Sequence, residues 1–272
     1  MAGSSYILPV AIQLNLLFSL LNFPVQAQPQ PLPKAHAHND YLHTKPLFDA
    51  LAHGFTSVEA DIHLIDGELY VIHDQPKTLQ GLPTLKELYL EPLYKYIKQN
   101  KGFVYQNYSS PVYLMIDIKT EGAATYAVLK QQLASYKDMI YSTANPEGRV
   151  QVVLSGNRPV ELVKNEPSPM VSIDGRPEDL ALNHSVQFMP VISQNYLKIL
   201  RWNGEGNISQ KDRQTLEKLA KDVHSQGKKL RLWASPEKEN VWQVLLEAGV
   251  DFINTDKLQE LQSFMQKGGN QK

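Results

Sequence analysis

Glu59 and Asp61 stand two residues apart in the apolar run Ser57 to His63, and Asp117 and Lys119 stand two apart at the end of the run from Tyr113. In an extended strand residues i and i+2 share a face, so each pair points into one space. The Glu-x-Asp pair by itself reads as a solvated strand edge. Val58 and Ile62 alternate with the acids, however, and if they pack outward against helices the carboxylates face inward. Three carboxylates in one mouth repel one another unless a cation lies among them. Oxygen-only ligation favours one hard divalent ion, Mg2+ or Ca2+, over Zn2+. His36, His38 and His73 add imidazoles, whose ordinary pKa of about 6.5 suits general acid or base work near neutral pH.

Such residues need a scaffold that gathers strand ends. Short apolar runs predict strands at Ala35 to His38, Ser57 to His63, Tyr113 to Ile118, Val150 to Leu154, Met170 to Ile173, Gln187 to Val191, Lys229 to Ala234 and Phe252 to Asn254. Helical periodicity separates several of them, at Pro46 to His53, Leu85 to Gln99, Ala123 to Asp138, Ser209 to Gln226 and Glu237 to Glu247. That alternation predicts an α/β fold, a closed (β/α)8 TIM barrel, whose functional residues gather at the carboxyl ends of the strands. Those ends carry, in order, His36 with His38 and Asn39, Glu59 with Asp61, Asp117 with Lys119, Ser155 with Asn157, Asp174, and Trp233. Asp66-Gly67 is a two-residue hairpin signal. It makes Glu68 to His73 an added arm that swings His73 back toward the mouth.

Composition narrows the chemistry further. The chain has no cysteine, which excludes thiolate nucleophiles, Cys-ligated metals and disulfides. Its 27 basic and 28 acidic residues give a net charge of −1, so no global field draws in nucleic acid, and recognition of an anionic substrate must be local. No charge occurs before Lys34, and Ile7 to Phe23 run apolar into Val25-Gln26-Ala27. This predicts a signal peptide over residues 1–27 and a secreted or periplasmic protein. Gln13, Asn15 and Asn22 break the run and disfavour a membrane anchor. Residues 28–34 then read as a Pro-rich linker, 35–267 as one barrel domain and 268–272 as a disordered tail.

The stretch His36-Ala-His-Asn, the run Pro46 to Asp61, and Asp66-Gly-Glu-Leu-Tyr-Val-Ile-His-Asp74 together resemble the glycerophosphodiester phosphodiesterase, or PLC-like phosphodiesterase, superfamily. Asp117-Ile-Lys119, Leu232-Trp-Ala234 and Gly249 to Asp256 extend the likeness over essentially the whole mature chain. The first motif departs from the His-Arg-Gly of typical members and lacks an Arg that would help hold phosphate. With His-x-His-Asn-Asp-Tyr, the chain most resembles the altered inheritance of mitochondria protein 6-like branch, which supplies no substrate to carry over.

The resemblance implies a phosphoric diester hydrolase of glycerophosphodiesters or phospholipid-type substrates. His36 and His73 would be its acid-base pair, and Glu59, Asp61 and Asp117 would hold one divalent cation. Lys119 would face the phosphate, and Trp233 would wall the pocket. Asn39 and His38 flank the first motif, where His38 is open as ligand, as base, as support for another group or as a structural histidine. Apart from the resemblance, Arg176 is a candidate substrate contact by its place after the fifth strand. The partner implied is a small-molecule or lipid phosphodiester, with transient contact to a membrane surface and no nucleic acid. Two other readings stand beside this one. His36-x-His38 is a spacing seen in zinc amidohydrolases, which also need imidazoles after later strands. A barrel without the Arg could also bind phospholipid headgroups without turnover.

Overall fold

The computed structural model describes residues 29–269. The expected leader, residues 1–27, and the last three residues of the expected tail lie outside the described residues. Nine strands form one sheet: β1 (Leu32–Ala37), β2 (Phe55–Ile65), β3 (Glu68–Val71), β4 (Val112–Ile118), β5 (Val150–Gly156), β6 (Val171–Gly175), β7 (Val191–Asn195), β8 (Lys229–Trp233) and β9 (Phe252–Thr255). Eight pair in parallel in the order β1-β9-β8-β7-β6-β5-β4-β2, and β1 closes on β2, so the sheet is a barrel of the TIM type. The arm β3 stands outside the ring, antiparallel to β2. Asp66 and Gly67 turn between them at φ 50° and 83°, the positive-φ pair that Asp-Gly accommodates.

The helices are α1 (Phe48–Ala52), α2 (Glu91–Gln99), α3 (Gly122–Ala134), α4 (Val160–Lys164), α5 (Tyr196–Ile199), α6 (Gln210–His224), α7 (Glu239–Glu247) and α8 (Leu258–Gly269). Side chains fix their starts. Glu121 accepts from the N–H groups of Ala123 and Ala124 at 2.9 and 2.7 Å, and Ser209 accepts from Asp212 at 3.0 Å. These bonds satisfy donors that a helix cannot satisfy internally.

Of the boundaries that differ from expectation, three bear on how the chain enters, builds and leaves the barrel. The strand expected at Gln187 to Val191 begins only at Val191. Pro190 has no N–H to give a ladder, and the polar end Ser193-Gln194-Asn195 disguises the strand as loop. β1 begins at Leu32, inside the stretch read as linker, where its N–H donates to Gly54 O at 2.7 Å. At the other end α8 runs on to Gly269, into the stretch read as tail.

The bore of the barrel is split by residue type. Met115, Val153, Val191 and Phe252, each at most 1% exposed, form an apolar plug apart from the main core. Tyr113 meets Phe252 edge-on at 5.1 Å. Above the plug the inward positions of β1, β2, β6 and β8 are polar: His36, Glu59, Asp61, Asp174 and Arg231 are all buried. Outward positions such as Leu114, Ile116, Val152 and Leu154 pack beneath the helices.

The loop after β1 is anchored by a buried acid. Asp40 is fully buried, and its Oδ2 accepts from Leu47 N–H at 2.6 Å and from the Tyr89 hydroxyl at 2.9 Å. Its Oδ1 has no partner, nor has His43 Nε2. Burial raises the Asp40 pKa to about 6 from 3.8. A folded value above the unfolded one means the stabilising contribution is full below pH 3.8 and is lost as pH rises through about 6. Asp40→Asn keeps the size and an acceptor but does not titrate. Its stability relative to wild type should therefore rise by up to about 3 kcal/mol between pH 4 and pH 7 in urea unfolding. A difference that stays flat across that range contradicts a raised pKa for Asp40 in the fold.

Candidate active site

Strand register brings the acids together. Asp61 and Asp117 are direct partners across the β2–β4 pair, and Glu59 lies one inward step below Asp61. One carboxylate oxygen from each falls within 4.8 Å of the others. Lys119 Nζ lies 3.0 Å from Asp117 Oδ2 and 3.3 Å from Asp61 Oδ2. The Tyr41 hydroxyl donates to Asp61 Oδ2 at 2.8 Å, with Asn39 Oδ1 3.1 Å away. The opposite oxygens, Asp61 Oδ1 and Asp117 Oδ1, are buried and have no partner. Burial, reinforced by Glu59, raises the pKa of both aspartates against the opposing pull of Lys119. Acceptors orphaned in this way, in an all-oxygen set, suit a hard divalent cation.

Glu59 is held differently. Burial alone would raise its pKa, but the Arg231 guanidinium and the His36 hydrogen bond hold it well below the usual carboxylate range. Arg231 reaches across the bore from β8 to Glu59 Oε2 and also donates from Nε to Asn254 Oδ1 at 3.0 Å. An ionised Glu59 only accepts, so His36 donates to it from Nε2 at 2.8 Å. His36 Nδ1 then takes the Ser57 hydroxyl at 2.7 Å.

The expectation for the histidines changes here. His36 is fully buried, both ring nitrogens are engaged, and it does not line the cavity at the barrel mouth. Burial, with Arg231 nearby, lowers its pKa to about 4. His38 lines that cavity instead, as does His73. The two are built alike. His38 Nδ1 donates to Asp256 Oδ1 at 2.8 Å, and His73 Nδ1 donates to Asp74 Oδ1 at 2.9 Å. Each Nε2 is left without a protein partner among the described residues. Burial opposes a charge on His38, but the Asp256 bond and Glu59 raise its pKa above the ordinary value. His63, on the Glu59-Asp61 face, donates from Nε2 to the His73 carbonyl at 3.0 Å, which ties the arm to the mouth.

The cavity has a volume of about 290 Å3. Asn39, Lys119 and Trp233 also line it, so all the expected site residues except His36 meet there. Trp233 is 36% exposed at the rim. Arg231, Tyr41 and Asp256 were not expected. Arg231 had a signal, since it lies two residues before Trp233 on the same strand face. Asp256 lay in a motif noticed only for its strand. Arg231 and Arg176 add two cations to the lining of the cavity.

The fold and the site define a barrel of the glycerophosphodiester phosphodiesterase type. A crystal structure of a glycerophosphodiester phosphodiesterase from Parabacteroides distasonis aligns with a TM-score of 0.56 at 18% identity, covering 88% of this chain and 99% of that one. Residues 25–170 match the AIM6-like phosphodiesterase domain, and the chain belongs to that family. Residues 229–259 match the glycerophosphoryl diester phosphodiesterase family. Altered inheritance of mitochondria protein 6 of Lachancea thermotolerans is 30% identical over 85% of this chain and 65% of its own length. The homolog of Arthroderma benhamiae is 25% identical over 89% and 88%. The chain thus spans somewhat less than two thirds of the first of these relatives.

Gly156 tests the carboxylate cluster without removing a ligand. It sits at φ +66°, and a Cβ there would fall 1.9 Å from Asp117 Oδ1 and 2.5 Å from the Ile118 carbonyl oxygen, so both the carboxylate and the end of β4 must shift. Gly156→Ala must displace that carboxylate, and it should weaken Mn2+ binding to the full chain by about 10- to 100-fold in calorimetry. Asp117→Asn should weaken it at least as much, and equal affinity in all three proteins would sink the site.

Proposed function

We propose that this chain is a metal-dependent phosphoric diester hydrolase acting on a glycerophosphodiester or phospholipid-type substrate, with His38 and His73 as its acid-base pair. The observation that carries this is the pairing of two aspartate-backed imidazoles, each with a free Nε2, with three inward carboxylates in one cavity. Glu59, Asp61 and Asp117 would hold one divalent cation, Mg2+ or Ca2+, which supplies charge stabilisation to a phosphate oxygen when bound. Lys119 adds a point charge to the same oxygens, and its own charge is secured by Asp117 and Asp61 against the cost of burial. His38 and His73 divide two proton transfers, one from the attacking hydroxyl and one to the leaving oxygen. Asp256 and Asp74 fix the tautomers that leave each Nε2 available. His36 stays neutral and orients Glu59. Asn39 and Trp233 line the substrate side.

Export behind a leader at residues 1–27, with transient contact at a membrane surface, belongs to the same reading. It is supported by the uncharged apolar start of the chain.

A phosphorus NMR screen of phosphodiesters, with and without Mg2+ or Ca2+, tests the reaction. His38→Ala and His73→Ala should each lower kcat by about 10^2- to 10^4-fold. His36→Gln, which keeps a donor to Glu59, should retain more activity than either. Full turnover in His38→Ala, or loss in His36→Gln as deep as in His38→Ala, would return the role to His36.

A further inference from the structure

Arg176 sits just beyond β6, the strand across the ring from β1. Its Nη1 serves every side-chain hydrogen bond it makes: to Asp174 Oδ2 at 2.9 Å, to Gly175 O at 2.9 Å and to Asp174 O at 3.2 Å. Asp174 itself is fully buried and held by the hydroxyls of Ser155 at 2.9 Å and Ser193 at 2.6 Å. The guanidinium is therefore fixed by one nitrogen on a rigid base. The other edge, Nη2 and Nε, has no protein acceptor among the described residues, and the side chain lines the cavity at 22% exposure. A planar two-donor edge on a fixed guanidinium matches carboxylate and phosphate oxygens, which is the geometry a lysine cannot offer. Glu59, Asp61 and Asp117 lie on β2 and β4, so the phosphate that Lys119 faces and the Arg176 edge are served by different sides of the mouth.

We infer that Arg176 selects substrates carrying a second anionic group, a carboxylate or phosphate, on the arm of the diester that points toward β6. This rests on the phosphodiesterase reading above and names its substrate class. The cavity lining sets Lys119, Arg231 and Arg176 beside the three acids, with Asp174 behind Arg176. Asp174 takes one edge of Arg176 and leaves the other for the ligand.

Substrate pairs that differ only in that charge provide the test, with the full chain. Glycerophosphoinositol 4-phosphate is compared with glycerophosphoinositol, and glycerophosphoglycolate with its neutral amide, so that the phosphate and carboxylate sources are separated. Arg176→Met should raise KM for a charged member at least tenfold, with its neutral counterpart within twofold and kcat little changed. Arg176→Lys keeps a charge beside Asp174 without the fork. It guards against a folding defect and should fall between wild type and Arg176→Met. Equal loss on charged and neutral members, or no loss on either charged one, overturns the inference. If wild type turns over none of the four, the phosphodiesterase reading fails. Calorimetric binding of the same compounds to wild type and both variants then still decides whether Arg176 distinguishes the charged forms.

Discussion

Like charges locked in register govern the mouth of this barrel. Asp61 and Asp117 are ladder partners on adjacent parallel strands, with Glu59 on the same inward face. The backbone hydrogen bonds of the sheet hold them there, so they cannot swing apart to relieve repulsion as surface carboxylates do. Burial adds to the cost, because removing a charge from water is unfavourable unless it is paired. Lys119 takes one oxygen of each aspartate and Arg231 takes one of Glu59. The two aspartate oxygens left over keep the cluster from closing as a salt-bridge network and leave it able to take a cation.

The rest of the fold holds that arrangement still. The plug of Met115, Val153, Val191 and Phe252 closes the bore below, so the polar layer rests on an apolar floor. Buried Asp40 anchors the loop that carries His38, Asn39 and Tyr41, and Tyr41 passes that anchorage to Asp61. On the far side of the first strand, β9 ends at Thr255, and Asp256 just after it fixes the His38 ring. His63 ties down the arm that brings His73. Each reactive group thus has a neighbour that sets its orientation, which is how a site on loop ends keeps its geometry.

Much of this was legible in sequence because it depends on local period. Eight apolar runs gave the barrel, Asp66-Gly67 gave the hairpin, and the two-residue spacing of Glu59 with Asp61 and of Asp117 with Lys119 gave the shared face. What was hidden depends on partners distant in the chain. Arg231 crosses the bore to Glu59, 172 positions away, and Asp256 reaches His38 across 218. No local pattern carries such distances. The β7 boundary failed for the reverse reason: Phe188 to Ile192 has the apolar character of a strand, but Pro190 stops the ladder from starting within it.

His36 and His38 show why spacing alone could not settle a role. The spacing put them on one strand face, yet β1 ends at Ala37, and the chain passes there from the polar layer inside the bore to the open cavity. The lower ring is enclosed by Phe252, Ser57 and Glu59 beside the Arg231 charge, which disfavours its protonation. The upper ring meets Asp256 in partial exposure, which favours it. Environment pushes two chemically identical groups in opposite directions, the kind of divergence that can assign them different roles. An imidazole held neutral can donate steadily to Glu59 over the whole neutral range. One whose charged form is stabilised, with an open Nε2, can give and take a proton where a substrate can reach it.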